Sequence, residues 1–298
     1  MKNFIKKNEL SQKSLKANSN NELFNYFKNS PKYTLKLDSY FQVYQEIFEK
    51  FKNKKIIFIE VGVAKGGSLF MWKKYLGEQA RIIGVEFNPE AKELEKHGFE
   101  IFIGDQSDEN FWKSFYKEVG PIDILLDDGG HKNIQQIMTV DCSVPFINNG
   151  GMIIVEDVHT SYMKKSFGNP SKFSFINFCK LINDSINRRC SSLNKRKNIY
   201  SEKVFSINYY ESIVVFNIDS EKCFSSSTVV NDVKDKFIDD FRHNSYFVKT
   251  QRFVEKKLNF LNKYNFFKTI IRNLFHRNIF FSIHEKIKLA LIFVKLKR

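Results

Sequence analysis

The spacing of apolar residues changes along the chain, and the changes mark its elements. Within residues 39–53, Phe41, Tyr44, Ile47, Phe48 and Phe51 recur at helical spacing, which predicts a helix ahead of the main domain. From residue 55 onward, short apolar runs alternate with amphipathic stretches. The runs Ile56–Val61, Arg81–Phe87, Phe99–Ile103, Ile122–Leu126 and Met152–Val155 read as strands, with Val204–Tyr210 and Ile213–Ile218 as a closing antiparallel pair. Helices are expected over Ser68–Tyr75, after the Asn88-Pro89-Glu90 start signal, and over Asn110–Glu118, Asn133–Phe146 and Phe173–Arg188. Strands alternating with helices imply an α/β fold with a parallel sheet covered on both faces. In such sheets ligands bind beyond the carboxyl ends of the strands, so the residues just after each strand hold the candidate chemistry.

The flanks differ from this body. Residues 1–35 are polar and lysine-rich and read as a loose arm with one short helix around Glu22–Phe27. The α/β domain is expected over 36–220, and 221–298 as a basic, mainly helical extension in which Phe260, Tyr264, Phe267, Ile271 and Leu274 form an apolar stripe. The 298 residues carry 48 Lys and Arg against 33 Asp and Glu, a net charge of +15. Residues 251–298 alone hold 12 Lys and Arg and two Glu, so the excess sits in the tail and the body is only mildly basic. That weakens any argument from global charge to nucleic-acid binding. No long apolar run predicts a membrane span, and the first residues have no signal-peptide core, so the default expectation is a cytoplasmic protein. The four cysteines, Cys142, Cys179, Cys190 and Cys223, form no CxxC pair and are expected to be mostly buried thiols.

The strand ends carry the motifs. The first runs into Glu60, Gly62, Gly66 and Ser68, a turn whose glycines let backbone approach a ligand ahead of a helix N-terminus. Its spacing is neither GxGxxG nor a P-loop. The second ends in Glu86, placed to accept from ribose hydroxyls, and the third in Asp105 and Gln106, where Asp105 can accept from an adenine amino group. Together these strand ends describe an adenosine site. The fourth ends in Asp127, Asp128, Gly129, Gly130 and His131, and the fifth in Glu156, Asp157, His159 and Tyr162. Four carboxylates on two strand ends require a counter-charge, and a hard divalent cation such as Mg²⁺ answers that requirement. His131 lies beside them with a side chain that titrates near neutral pH.

The succession EVGVAKGGSLFMW, GVEFNP, GDQSD, LDDGGH and GGMIIVEDVHTSY, over residues 36–165, resembles class I S-adenosylmethionine-dependent methyltransferases. The similarity is narrower to the branch of macrolide-sugar and rhamnosyl O-methyltransferases and cephalosporin hydroxylase-like proteins. That resemblance implies a Rossmann-like seven-stranded sheet in the order 3-2-1-4-5-7-6, its last strand antiparallel, built from the runs above. It implies S-adenosylmethionine held by Gly62, Glu86 and Asp105, with Glu60, Gly66, Ser68 and Gln106 around them. It also implies Mg²⁺ on Asp128, Glu156 and Asp157, and His131 as general base. Gly130 stands where the family more often has Ser, which removes a hydroxyl beside the base. His159 and Tyr162 are expected to line the acceptor pocket, and Asp127 to support the site from behind.

The expected reaction is O-methylation of a sugar or glycosylated acceptor. Three other readings compete with it. An RNA methyltransferase draws on the net charge, but the DPPY-type motif of base amino-methylases is absent. A non-catalytic scaffold has no need of the acidic pairs and His131. A metal-dependent hydroxylase needs two histidines and a carboxylate, which His131, His159 and Asp128 can supply. For the tail of residues 251–298, the alternatives are peripheral contact with an anionic membrane and a solvated helical cap or homo-oligomer contact.

Overall fold

The computed structural model describes residues 11–163, 172–191, 193, 197–231, 233, 256–257 and 279–296. The chain divides into two compact units, Met1–Thr228 and Val229–Arg298. The first is built on a seven-stranded sheet in the order β3-β2-β1-β4-β5-β7-β6. Its strands are β1 (Ile57–Val61), β2 (Arg81–Glu86), β3 (Glu100–Ile103), β4 (Ile122–Asp127), β5 (Ile147–Val155), β6 (Val204–Tyr210) and β7 (Ile213–Ile218). Strands β1 to β5 pair in parallel, while β7 runs antiparallel to both β5 and β6.

Helices cover both faces, as apolar runs buried on two sides require. On one face lie α1 (Gln12–Asn18), α2 (Glu22–Lys28), α3 (Tyr40–Phe48) and α4 (Gly67–Leu76). Their core centres on Trp72, whose ring meets Tyr44, Phe48 and Phe58 at centroid distances of 5.1, 4.6 and 5.2 Å. The other face carries α5 (Glu109–Val119), α6 (Asn133–Ser143) and α7 (Phe175–Asn187), packed through Trp112, Phe115, Val140 and Phe175. The short α8 (Ile199–Lys203) precedes β6. The Asn88-Pro89-Glu90 signal starts a 3-10 segment over Pro89–His97, with the Asn88 side chain accepting from Glu90 N.

Strand parity distributes the side chains. Along β1, Phe58 packs toward the α2–α4 face and Ile59 toward the α5–α7 face. Alternation therefore sends Glu60 to the α2–α4 face. In β4 and β5, Leu126 and Ile154 belong to that same face, and Leu125 and Val155 to the other. Continued one step past the strands, this rule places Asp128 and Glu156 with Glu60 and sends Asp127 the opposite way.

The short helix expected around Glu22–Phe27 forms as α2, and among the described residues it is docked rather than part of a loose arm. Leu23 is fully buried and Phe24 nearly so, with Phe24 edge-on to Phe41 at 5.0 Å. The buried Asn21 both caps α2, accepting from Phe24 N, and donates to Phe41 O at 2.8 Å. The polar composition misled because two apolar side chains and an asparagine cap suffice to dock so short a helix. The thiols also differ from expectation: Cys179 is buried, Cys142 and Cys223 are half-buried, and Cys190 is exposed.

In the second unit, Ile279–Leu296 is an 18-residue helix whose described side chains, from Lys286 to Val294 and Leu296, are exposed. No helix among the described residues is long and apolar enough to cross a membrane. The stripe of Phe260, Tyr264, Phe267, Ile271 and Leu274 lies outside the described residues.

Because Leu23 belongs to the core, Leu23→Ala is expected to destabilise the protein by about 2–5 kcal/mol in urea unfolding. A change within about 0.5 kcal/mol, the usual size for a surface site, would return this segment to a loose arm.

Candidate active site

The carboxyl ends of β1, β4 and β5 meet around a group of ionisable side chains. Register aligns Val61 with Asp127 and Asp127 with Val155, so Asp128 and Glu156 leave adjacent strands at the same level. Backbone bonds extend the pairing: Asp128 N donates to Val61 O and Glu156 N to Asp127 O, both at 2.9 Å. Gly62, at φ +85°, lies against this junction, where a Cβ would strike the Asp128 carbonyl and Gly129 Cα. The need for glycine there is a close approach of two backbones.

At the centre is a residue that sequence reasoning missed. Lys36, in the segment between α2 and α3, extends its ammonium to Asp128 Oδ2 at 2.7 Å, Glu156 Oε2 at 2.9 Å and Glu60 Oε1 at 3.4 Å. Its side chain is 1% exposed. Burial alone would lower the Lys36 pKa, but the charges of Asp128, Glu156 and Glu60 hold it well above its ordinary value, so it stays cationic. Burial pushes Glu156 well above the usual carboxylate range and raises Glu60, while the Lys36 charge beside them pulls both back down. Two tyrosines on one face of α3 complete the arrangement. Tyr44 donates a very short hydrogen bond to Glu156 Oε1, and Tyr40 donates to Asp157 Oδ1 at 2.5 Å. The i,i+4 spacing of Tyr40 and Tyr44 was legible; that both hydroxyls end on the acidic pair was not.

Asp128, His131 and Asp157 each offer a ligand atom, all within 4.8 Å of one another. His131 Nε2 lies 3.3 Å from Asp157 Oδ2, while its Nδ1 is buried without a hydrogen-bond partner. His131 and Asp157 both occupy the left-handed backbone region, at φ 57° and 54°, as does Ser212 opposite them at φ 60°. Non-glycine residues held there store strain of order 1–3 kcal/mol each, and such strain concentrates at functional sites. Two carboxylates and an imidazole so grouped are donors that a hard divalent ion can use, its remaining positions filled by water. Glu156, the third expected ligand, accepts from Lys36 Nζ and from the Tyr44 hydroxyl, and Asp128 accepts from the same ammonium. His159 places Nδ1 on Ser212 Oγ, outside the cluster, so the described residues do not assemble the two-histidine set of a hydroxylase.

The expected cofactor residues separate into two groups. Glu86 accepts from Ala64 N at 2.9 Å and from Phe87 N and Asn88 N, beside a cavity of about 560 Å³ that Lys32, Lys65 and Asn88 also line. Gly66 caps α4 at φ +82°, where a Cβ would meet the Leu94 side chain. Asp105 accepts from the Ser107 amide and hydroxyl at the end of β3. Glu60 and Ser68 instead pair with each other at 2.7 Å. Gln106 is buried and acts as a brace. Its Nε2 donates to both Asp127 oxygens and Thr139, and its Oε1 accepts from Gly130 N at 2.8 Å. A Cβ on Gly129 would collide with that same Oε1. Asp127 thus supports the loop carrying His131 from the opposite face, as expected. His159 and Tyr162 border a second cavity of about 500 Å³, together with Lys180, Tyr209 and Ser212.

The strand order and the antiparallel β7 define a class I methyltransferase fold. Among solved structures, the chain is similar to the MycE methyltransferase of the mycinamycin pathway, solved in complex with Mg, SAH and mycinamycin VI. That match has a TM-score of 0.62 and 21% identity, covering 72% of this chain and 57% of that one. By sequence it is 32% identical over 133 residues to the 8-demethyl-8-alpha-L-rhamnosyl tetracenomycin-C 2'-O-methyltransferase of Streptomyces olivaceus. The mycinamycin VI 2''-O-methyltransferase of Micromonospora griseorubida is 29% identical over 126 residues. These matches cover 42% and 40% of this chain, and only 35% and 31% of the relatives' own lengths. No family model matches the sequence.

Gln106→Leu removes the brace and leaves a buried Asp127 carboxylate short of a donor. The expected cost is about 1–3 kcal/mol in denaturant unfolding, since a stranded polar group loses its full desolvation compensation. Unchanged stability would show that Gln106 is free to serve a ligand instead.

Proposed function

We propose that this chain is a Mg²⁺-dependent O-methyltransferase that moves the methyl group of S-adenosylmethionine to a hydroxyl of a sugar or glycosylated acceptor. The observation that carries the reading is the juxtaposition of Asp128, His131 and Asp157 at the ends of β4 and β5, beside the glycine turn of β1. The names of the sequence relatives, all O-methyltransferases of glycosylated natural products, supply the acceptor class. On this reading Glu86 receives the ribose and Asp105 the adenine, with Gly62 and Gly66 giving the backbone room to approach. Asp128, Glu156 and Asp157 hold the cation, and His159 and Tyr162 border the acceptor cavity.

An alcohol is a poor nucleophile at neutral pH, so the proton must leave as the new C–O bond forms. His131 takes it at Nε2, the nitrogen on the side of the cluster, and the neighbouring Asp157 carboxylate stabilises the imidazolium that results. The S–CH₃ bond breaks with its electron pair remaining on sulfur. When bound, Mg²⁺ supplies positive charge that makes a nearby hydroxyl more acidic. The left-handed backbone at His131 and Asp157 fixes the two side chains toward each other, and much of the remaining acceleration is alignment.

His131→Ala is expected to bind S-adenosylmethionine as the native chain does while methyl transfer falls by about 10²–10⁴-fold. Undiminished transfer would remove the base role. The acceptor class is tested by mass spectrometry of cell-surface glycans and small glycosides with and without the gene. The expected result is one methyl group lost from one sugar, restored by the native gene and not by Asp128→Ala. Restoration by that variant, or full activity in chelator, would overturn the cation site.

A further inference from the structure

The helix over Ile279–Leu296 carries apolar side chains on two opposite sides. Ile287, Leu291 and Val294 share one side, at i, i+4 and i+7, while Leu289, Ile292, Phe293 and Leu296 share the other. All seven are 52–78% exposed. Apolar residues scattered singly over a surface need no explanation, but a contiguous run of this extent marks a docking site. Lysines fall between the two stripes. Lys286 and Lys288, two residues and therefore about 200° apart on a helix, flank the stripes on either side. Lys295 repeats the position of Lys288 seven residues on. Past Glu285 the sequence carries Lys286, Lys288, Lys295, Lys297 and Arg298 and no Asp or Glu.

We infer that this helix docks on an anionic lipid surface, lying in the plane of the leaflet. Charge complementarity selects the partner, because a run of cations without an acid is attracted to a negatively charged surface. Shape selects lipid over protein. A protein groove or a paired helix takes up one apolar stripe and leaves the other in water. The boundary between headgroups and acyl chains surrounds a helix and takes up both, while the lysine stems reach back to the headgroup phosphates. The helix does not span the bilayer. Its 18 residues give a length of about 27 Å, close to the hydrocarbon thickness of about 30 Å, so Lys286, Lys288 and Lys295 would fall within the apolar layer. No helix among the described residues is long and apolar enough to cross. The docking stands apart from methyl transfer, since it uses no residue of the strand-end site.

The test is co-sedimentation of the full chain with vesicles of phosphatidylcholine alone and of phosphatidylcholine with about one-third phosphatidylglycerol. Binding to the anionic vesicles should exceed binding to the neutral ones by about tenfold or more, and should fall as salt is raised. Leu291→Asp combined with Phe293→Asp, one from each stripe, should reduce it by about tenfold or more. The triple variant Lys286→Gln, Lys288→Gln, Lys295→Gln should do the same. Phe293→Trp places a reporter on the helix, whose emission should move to shorter wavelength on anionic vesicles and be quenched by brominated acyl chains. Leu291 and Phe293 are exposed, so their substitution should leave the circular dichroism of the chain unchanged. Equal or absent binding to the two vesicle types would overturn the docking site, as would sedimentation without the shift and quenching at position 293. A lipid-independent dimer in analytical ultracentrifugation that dissociates in the Leu291→Asp, Phe293→Asp variant would also overturn it, and would give the helix to a second copy of the chain.

Discussion

The site depends on placing one ammonium among three carboxylates out of water. Glu60, Asp128 and Glu156 project from three neighbouring parallel strands onto the same face of the sheet, and two of them are fully buried. Such a set is unstable by itself, because each charge loses its hydration and gains only repulsion. Lys36 converts it into a compact ion cluster, and removal of any one member would leave the others uncompensated. The surrounding structure serves that placement. The segment carrying Lys36 is pinned to the glycine turn, α2 docks through Leu23 and Phe24, and α3 adds the hydroxyls of Tyr40 and Tyr44.

The two faces of the sheet divide the work. On the α2–α4 face the acidic side chains meet Lys36 and the tyrosines. On the α5–α7 face Asp127, Gln106 and Thr139 form a neutral-donor network that holds the glycine pair and His131 in position. Adjacent residues, Asp127 and Asp128, therefore have unrelated duties because strand alternation points them in opposite directions. The loop between them and α6 connects both networks, and a Cβ on its Gly129 would collide with the Gln106 brace.

Strained backbone marks where those networks converge. His131, Asp157 and Ser212 are all left-handed without being glycine, and they are linked through Tyr40, Asp157 and His159. The hairpin of β6 and β7 thus contributes directly to the site through Ser212, although its sequence signals only a turn between two strands. The cavity beside it, reaching Tyr162 and Tyr209, extends this wall away from the acidic cluster.

The sequence by itself determined the sheet. Its apolar runs and Gly-rich strand ends marked every strand to within a few residues, apart from an earlier start to β5, and the resemblance carried by its motifs implied their order. It also determined which strand ends carry acid, because local pattern and motif order both lie within short windows of chain. Only the tertiary structure decided how the acids are shared. Glu156 and Asp157 are adjacent in sequence, yet one faces Lys36 and Tyr44 and the other His131 and Tyr40. Gln106, adjacent to Asp105, became a brace because its partners lie 21 and 33 residues away. The demand for a counter-charge was readable from the carboxylates. Its source was not, because Lys36 lies 92 residues from Asp128 and 120 from Glu156 and has no local pattern that sets it apart from the chain's other lysines. Burial and long-range packing, which depend on the whole fold, selected it.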